Sequence, residues 1–273
     1  MRLLLPLAIA MAALLAACGG GDDNEPASTG TPASPASGSP AATATRAATA
    51  AATGAAPTSE ATVENRDEVE ALLKAASLRQ DDLPEGYTLD EEGFTTNEEA
   101  VGETSAPSDP TLEDINEFGR ILGYDTTYSN LEESLNALSE GGTLSIDVST
   151  TLYEDSDGAD DAFEFVRDQA TDEEFLEDYK ESTAIPGVEI TNATISEISI
   201  PELGDKRLAL EITVSAHSSE LDQDFDFIAQ VAGIRRDRMI GSVTVLAFNA
   251  TSPSQDLEGL ARALDERMKD ALE

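Results

Sequence analysis

The sequence predicts an α+β domain, a mostly antiparallel sheet packed with helices, preceded by a signal peptide and a disordered stalk. Two patterns carry that expectation. Apolar runs of strand length recur at Leu144 to Leu152, Val188 to Ile200, Arg207 to Ala216, Phe225 to Ile234 and Met239 to Phe248. Between and around them apolar residues fall three and four apart, the spacing of a helix with one buried stripe, clearest in Leu257, Leu260, Ala261, Leu264, Met268 and Leu272.

The chain opens on Met1-Arg2-Leu3-Leu4-Leu5-Pro6 and continues apolar to Leu15, a run too short to span a bilayer and preceded by one positive charge. That is the form of a secretory signal. It closes on Leu15-Ala16-Ala17-Cys18, which resembles the lipobox of bacterial lipoproteins: a branched apolar residue, two small residues and the cysteine that receives a diacylglycerol. Cys18 is the only cysteine in the 273 residues and stands where cleavage would leave it at the mature N-terminus. The resemblance implies a signal peptide over 1–17, lipid on Cys18 and a location on the outer side of the cell membrane. A lone thiol also rules out an intramolecular disulfide framework. From residue 18 to 63 the chain is dominated by Gly, Ala, Ser, Thr and Pro, a composition that cannot bury enough apolar surface to offset the entropy of ordering. It reads as a stalk, with an r.m.s. reach of roughly 35 Å.

Residues 64–273, about 210 in number, form one domain large enough for a sizeable core. Val69, Leu72, Leu73 and Ala76 predict its first helix. Asp81-Asp82-Leu83-Pro84-Glu85-Gly86-Tyr87 is a turn leading to an extended piece through Phe94. A second helix is expected from Thr111, with Asp114 near its start and Leu112, Ile115, Gly119 and Leu122 facing inward. Tyr124, Thr126 and Tyr128 alternate as in a strand, and Leu131, Leu135 and Leu138 return to helical spacing before Gly141-Gly142 ends it. In the next strand Leu144, Ile146, Val148 and Leu152 alternate with Ser145, Asp147, Ser149 and Thr151. Ala159, Ala162, Phe163, Val166 and Ala170 make the following helix, with Asp155 or Ser156 placed to cap it. A short acidic helix around Phe175 and Tyr179 precedes four antiparallel strands, the last of them apolar on both faces, so material must cover both. The final helix is expected to start with Ser252 as N-cap, Pro253 at the first position and Gln255 completing a capping box.

The turn at Leu83-Pro84-Glu85-Gly86-Tyr87, the strand-to-helix unit from Leu144 to Ala170 and the closing hairpin plus helix resemble the PsbP-like α/β sandwich. That fold occurs in lipid-anchored envelope proteins and in extracellular sensor domains of membrane kinases. The resemblance implies a binding or accessory module rather than any particular chemistry.

Charge narrows the partners. Acidic residues number 55 against 16 basic, and losing Arg2 with the signal takes the formal net charge from −39 to −40. Such a surface has no favourable long-range term with nucleic acid or anionic headgroups, so membrane attachment falls to the lipid on Cys18. The acids read as solvated helix faces. Asp155-Ser156-Asp157-Gly158-Ala159-Asp160 has its glycine in the fourth place and no glutamate at the twelfth, which does not support an EF-hand loop. His217 is the one histidine, placed on the wet face of its strand with Glu211, Thr213 and Ser215. No nucleophile elbow, phosphate loop, dinucleotide fingerprint or metalloprotease helix appears, so no enzyme, cofactor or metal is expected. Arg235, Arg236 and Arg238 are the only dense positive cluster, in a turn between two strands, and are the candidate contact for an anion or acidic partner.

Three functions remain open at this level. The first is a binding or sensory module for an envelope component or small apolar ligand. The second is a structural or adaptor protein of the envelope. The third is a glycan-directed hydrolase, which needs two carboxyl groups facing each other about 5 to 10 Å apart.

Overall fold

The computed structural model describes residues 66–101, 110–170, 188–219, 222–250, 253 and 255–273. The signal and stalk expected over 1–63, the acidic helix around Phe175 and Tyr179, and Ser252 lie outside the described residues.

Seven antiparallel strands form one sheet in the order β1-β2-β3-β7-β6-β5-β4. They are β1 (Thr88–Thr95), β2 (Arg120–Ser129), β3 (Gly142–Tyr153), β4 (Val188–Glu197), β5 (Lys206–Ser218), β6 (Gln223–Arg236) and β7 (Met239–Phe248). Two meanders, β1 to β3 and β4 to β7, meet where β3 pairs with β7, so the first and fourth strands are the two edges. On β1 the run Asp90, Glu91, Glu92 charges the edge, a common defence against pairing with another chain. The helices are α1 (Arg66–Ala76), α2 (Asn97–Val101), α3 (Leu112–Glu117), α4 (Leu131–Glu140), α5 (Ser156–Ala170) and α6 (Leu257–Leu272). This is the α+β architecture that the two periodicities predict, with β4 to β7 where the apolar runs place them.

Helices cover both sides of the sheet. On one face, α1 and α6 pack over Ile146, Val148, Val243 and Val245, with Leu73, Leu264 and Met268 fully buried. The approach is close enough that a Cβ on Gly241 would lie 2.5 Å from the Met268 sulfur, which explains a glycine inside a core strand. On the other face, α5 lays Ala159, Ala162 and Phe163 against Tyr153, Leu208 and Leu210. The same face of β4 to β7 carries a second apolar layer that includes Val214, Phe225, Phe227, Leu246 and Phe248, with the three rings in contact.

Local chemistry sets the helix ends. Asp155 accepts from the backbone N–H groups of Asp157 and Gly158 and is the cap of α5. Thr111 and Asp114 form a reciprocal capping box at the helix start that the sequence places there. The helix they start is shorter than expected, however. It ends at Glu117, Gly119 takes φ +68, and Leu122 belongs to β2 rather than to an inward helical stripe. The correction has a plain cause: a glycine in the left-handed region terminates a helix whatever apolar spacing continues beyond it. The last helix is corrected too. It begins at Leu257 with Asp256 in the N-cap position, so Pro253 and Gln255 precede it instead of forming its first turn.

Candidate functional site

The predicted cationic turn is real, and most of its charge is used internally. β6 and β7 are joined through Asp237 and Arg238, with Arg236 paired opposite Met239 and Asp237 at φ +51. Arg235 lies on the α5 side, where its Nε is 3.0 Å from Asp160 and its Nη1 3.6 Å from Asp205. Arg236 points to the other side and forms two bonds of 2.7 Å with Asp265 of α6. Its guanidinium is held above its usual range, first by that carboxylate. Arg238 is part-buried and its carbonyl accepts from the Tyr153 N–H at 2.9 Å. The structure therefore places the three arginines on a short turn and directs Arg235 and Arg236 to opposite faces of the sheet.

A cleft of about 350 Å³ opens beside this turn, between α5 and the β4–β5 edge, lined by Phe163, Arg167, Ile198, Lys206 and Leu208 among others. Two of its cations, Lys206 and Arg167, are bonded to neighbouring acids. Lys206 reaches Asp160 at 2.7 Å and Glu164 at 2.5 Å, and Arg167 pairs with Glu164. Asp160 is held below the usual carboxylate range, first by the Lys206 bond. The cleft is thus floored by apolar side chains and walled by a cross-linked charge network.

His217 stands where its strand phase puts it, beside Thr213 and Ser215, with Nδ1 2.7 Å from the exposed carboxylate of Asp224 on the paired strand. Among the described residues no group of three or more His, Cys, Asp or Glu side chains is arranged to hold a metal ion.

Two features escape sequence reasoning. The first is a pair of acids on the α5 side of the sheet, Asp125 on β2 and Asp147 on β3, each opposite a hydroxyl residue: Asp125 faces Ser149, and Asp147 faces Thr127. Thr127 and Ser145 donate to Asp147 at 2.8 and 2.9 Å, and Thr95 donates to Asp125 at 2.7 Å. Burial pushes both carboxyl groups above the usual range, against the hydroxyl bonds that pull them down. The alternation of Ser145, Asp147 and Ser149 with apolar neighbours suggests a solvated face, and nothing in one strand's pattern reveals that these polar groups are buried or part-buried.

The second is a solvent-facing leucine stripe. Leu131, Leu135 and Leu138 of α4 are 73%, 53% and 42% exposed. The helix that carries them is fixed from its other side. Asn130 accepts from the N–H groups of Glu132 and Glu133, Ser134 donates to the Leu144 carbonyl at 2.8 Å, and Ala137 is buried. Glu133 accepts from the Tyr87 hydroxyl at 2.8 Å and from Gln255 at 3.2 Å, with the Tyr87 hydroxyl pushed up by burial and by that carboxylate. Gly141 at φ +81 closes the helix where a Cβ would meet the Asn249 carbonyl at 2.2 Å.

No family model matches the chain, and no curated protein does. Among solved structures it is similar to the extracellular domain of PknH from Mycobacterium tuberculosis, with 11% identity and a TM-score of 0.37 over 74% of this chain and 96% of that one. No described helix is long and apolar enough to cross a membrane.

Proposed function

We propose that this protein is an extracytoplasmic lipoprotein, held on the cell membrane through lipid on Cys18, whose α+β domain is a binding module for an envelope component. The location rests on Leu15-Ala16-Ala17-Cys18 closing the only signal-like run. The binding role is carried by one observation, the solvent-facing leucine stripe of α4. A domain that packs both faces of its sheet leaves three large apolar side chains aligned on a rigid surface helix, which marks a contact site. The cleft beside α5 gives less support to a small apolar ligand, because ion-paired Arg167 and Lys206 wall it. A structural or adaptor role would use the same helix and differs in requiring one stoichiometric envelope partner.

The anchoring half is tested by the intact mass of the chain recovered from membranes of a bacterial host. The expected product starts at Cys18 and carries a diacylglyceryl mass. Cys18→Ser should leave an uncleaved precursor or release the protein from the membrane. An unmodified Cys18, or a chain still starting at Met1 in the cytoplasm, overturns the location.

A further inference from the structure

We infer that the Leu131, Leu135, Leu138 face of α4 docks a protein partner whose apolar contact strip is rimmed by lysine or arginine. The inference rests on the binding-module reading and narrows it to one face and one partner chemistry. The three leucines sit at i, i+4 and i+7, the spacing by which a helix meets an apolar groove or a second helix. They cannot turn inward to relieve their exposure. The opposite side of α4 is fastened by the Ser134 bond to the Leu144 carbonyl, by buried Ala137 and by the Glu133 bonds to Tyr87 and Gln255.

Charge selects the occupant. The ten residues of α4 contain three glutamates and no basic residue. Glu132 is exposed beside the stripe and has no ion pair among the described residues, while Glu140 is exposed at the helix end, half a turn away from the leucines. A second copy of the chain would bring identical acidic flanks together, each on a molecule of formal net charge −39. An anionic lipid surface would be repelled in the same way. A partner with an apolar strip and cationic rim satisfies both the leucines and Glu132, and gains electrostatic steering from the whole acidic surface.

The test uses the purified full chain and a fluorescein-labelled amphipathic peptide of leucine and lysine, with a leucine and glutamate peptide of the same pattern as control. The variant L131Q/L135Q/L138Q removes the stripe without changing charge, and glutamine keeps the helix propensity high. The leucine-lysine peptide should bind the wild type, and the triple variant should bind it at least tenfold more weakly with an unaltered circular dichroism spectrum and melting curve. E132Q should weaken binding about threefold and flatten its salt dependence, while E140Q, on the far side of the helix, should change binding little. The leucine-glutamate peptide should not bind. Equal binding of the lysine peptide by wild type and triple variant overturns the inference, since bulk charge alone would then account for it. So does leucine-dependent self-association in sedimentation, or leucine-dependent binding to phosphatidylcholine vesicles. A triple variant that has lost its fold is replaced by the single L131Q, which changes only the most exposed position. None of these readouts depends on lipid at Cys18, so a failure here and a failure of the anchoring measurement are separable.

Discussion

Asp147 shows how much a single covered carboxyl group can say about pH. Burial raises its pKa from the ordinary 3.8, Asp125 and Glu91 add to the rise, and the Thr127 and Ser145 hydroxyls oppose it. The folded state therefore keeps this proton to higher pH than the unfolded chain does. Stability from the group is fully present below the unfolded value and is lost as pH rises through the raised folded value. Asp147→Asn removes the titration, and any constant cost of the amide cancels when the variant is compared with wild type across pH. The difference in urea midpoint, variant minus wild type, should climb as pH rises above the ordinary carboxylate value of 3.8. A flat difference would mean that the carboxyl is not desolvated as its surroundings indicate. The lesson about legibility at this scale is mixed. His217 falls on the wet strand face that its alternation assigns, whereas Asp147 shares the same alternating pattern and is part-buried with a hydroxyl partner on the neighbouring strand, which one strand's sequence does not show.

Elements are held to one another by a few ion pairs between segments far apart in the chain. Arg236 joins β6 to α6 through Asp265 with two bonds of 2.7 Å, and Arg267 of the same helix grips Asp82 in the turn after α1 at 2.9 and 3.0 Å. Asp265 is only 8% exposed, so Arg236→Ala strands a nearly buried carboxylate. With Arg236 itself 25% exposed at its side chain, the cost should be about 2 kcal/mol rather than the larger loss of a fully buried pair. Arg236→Ala/Asp265→Ala should recover part of it, and equilibrium urea denaturation of the single and double variants checks the order. A single variant as stable as wild type would remove the pair from the account of the fold. These partners explain why the arginine turn could be seen in the sequence while its role could not: Asp160 and Asp265 lie far from it along the chain, and each claims one arginine. Periodicity recovered α1, α5, α6 and β4 to β7, whose stripes are continuous. It overran at α3, where Gly119 stops the helix inside an intact apolar spacing, and it started α6 early, where Pro253 and Gln255 imitate a first turn that Asp256 actually opens. At α4 the spacing named the helix and was silent on exposure, since three leucines three and four apart look the same whether a neighbour covers them or not.

Over the whole molecule the balance of charge outweighs any one pair. Sixteen basic residues face 55 acidic ones, and among the described residues most bases have an acidic partner, such as Glu70, Asp82, Asp160 and Asp265. The remaining acids repel one another across the surface, a penalty that the compact state bears more heavily than the unfolded chain. Salt acts on the two terms with opposite sign. It weakens attraction in the part-exposed ion pairs, and it screens repulsion among unpaired carboxylates over distances of about 10 Å at 0.1 M. The excess of acids makes the second effect the larger, so the melting temperature should rise by several degrees between about 20 mM and about 500 mM sodium chloride. Tetramethylammonium chloride at equal ionic strength should do nearly the same, because screening is indifferent to the identity of the cation. A melting temperature that falls with salt would show that paired charges, not surplus acids, govern stability. One that responds to sodium and ignores tetramethylammonium would point to cations bound at particular carboxylates instead of a diffuse atmosphere around all of them.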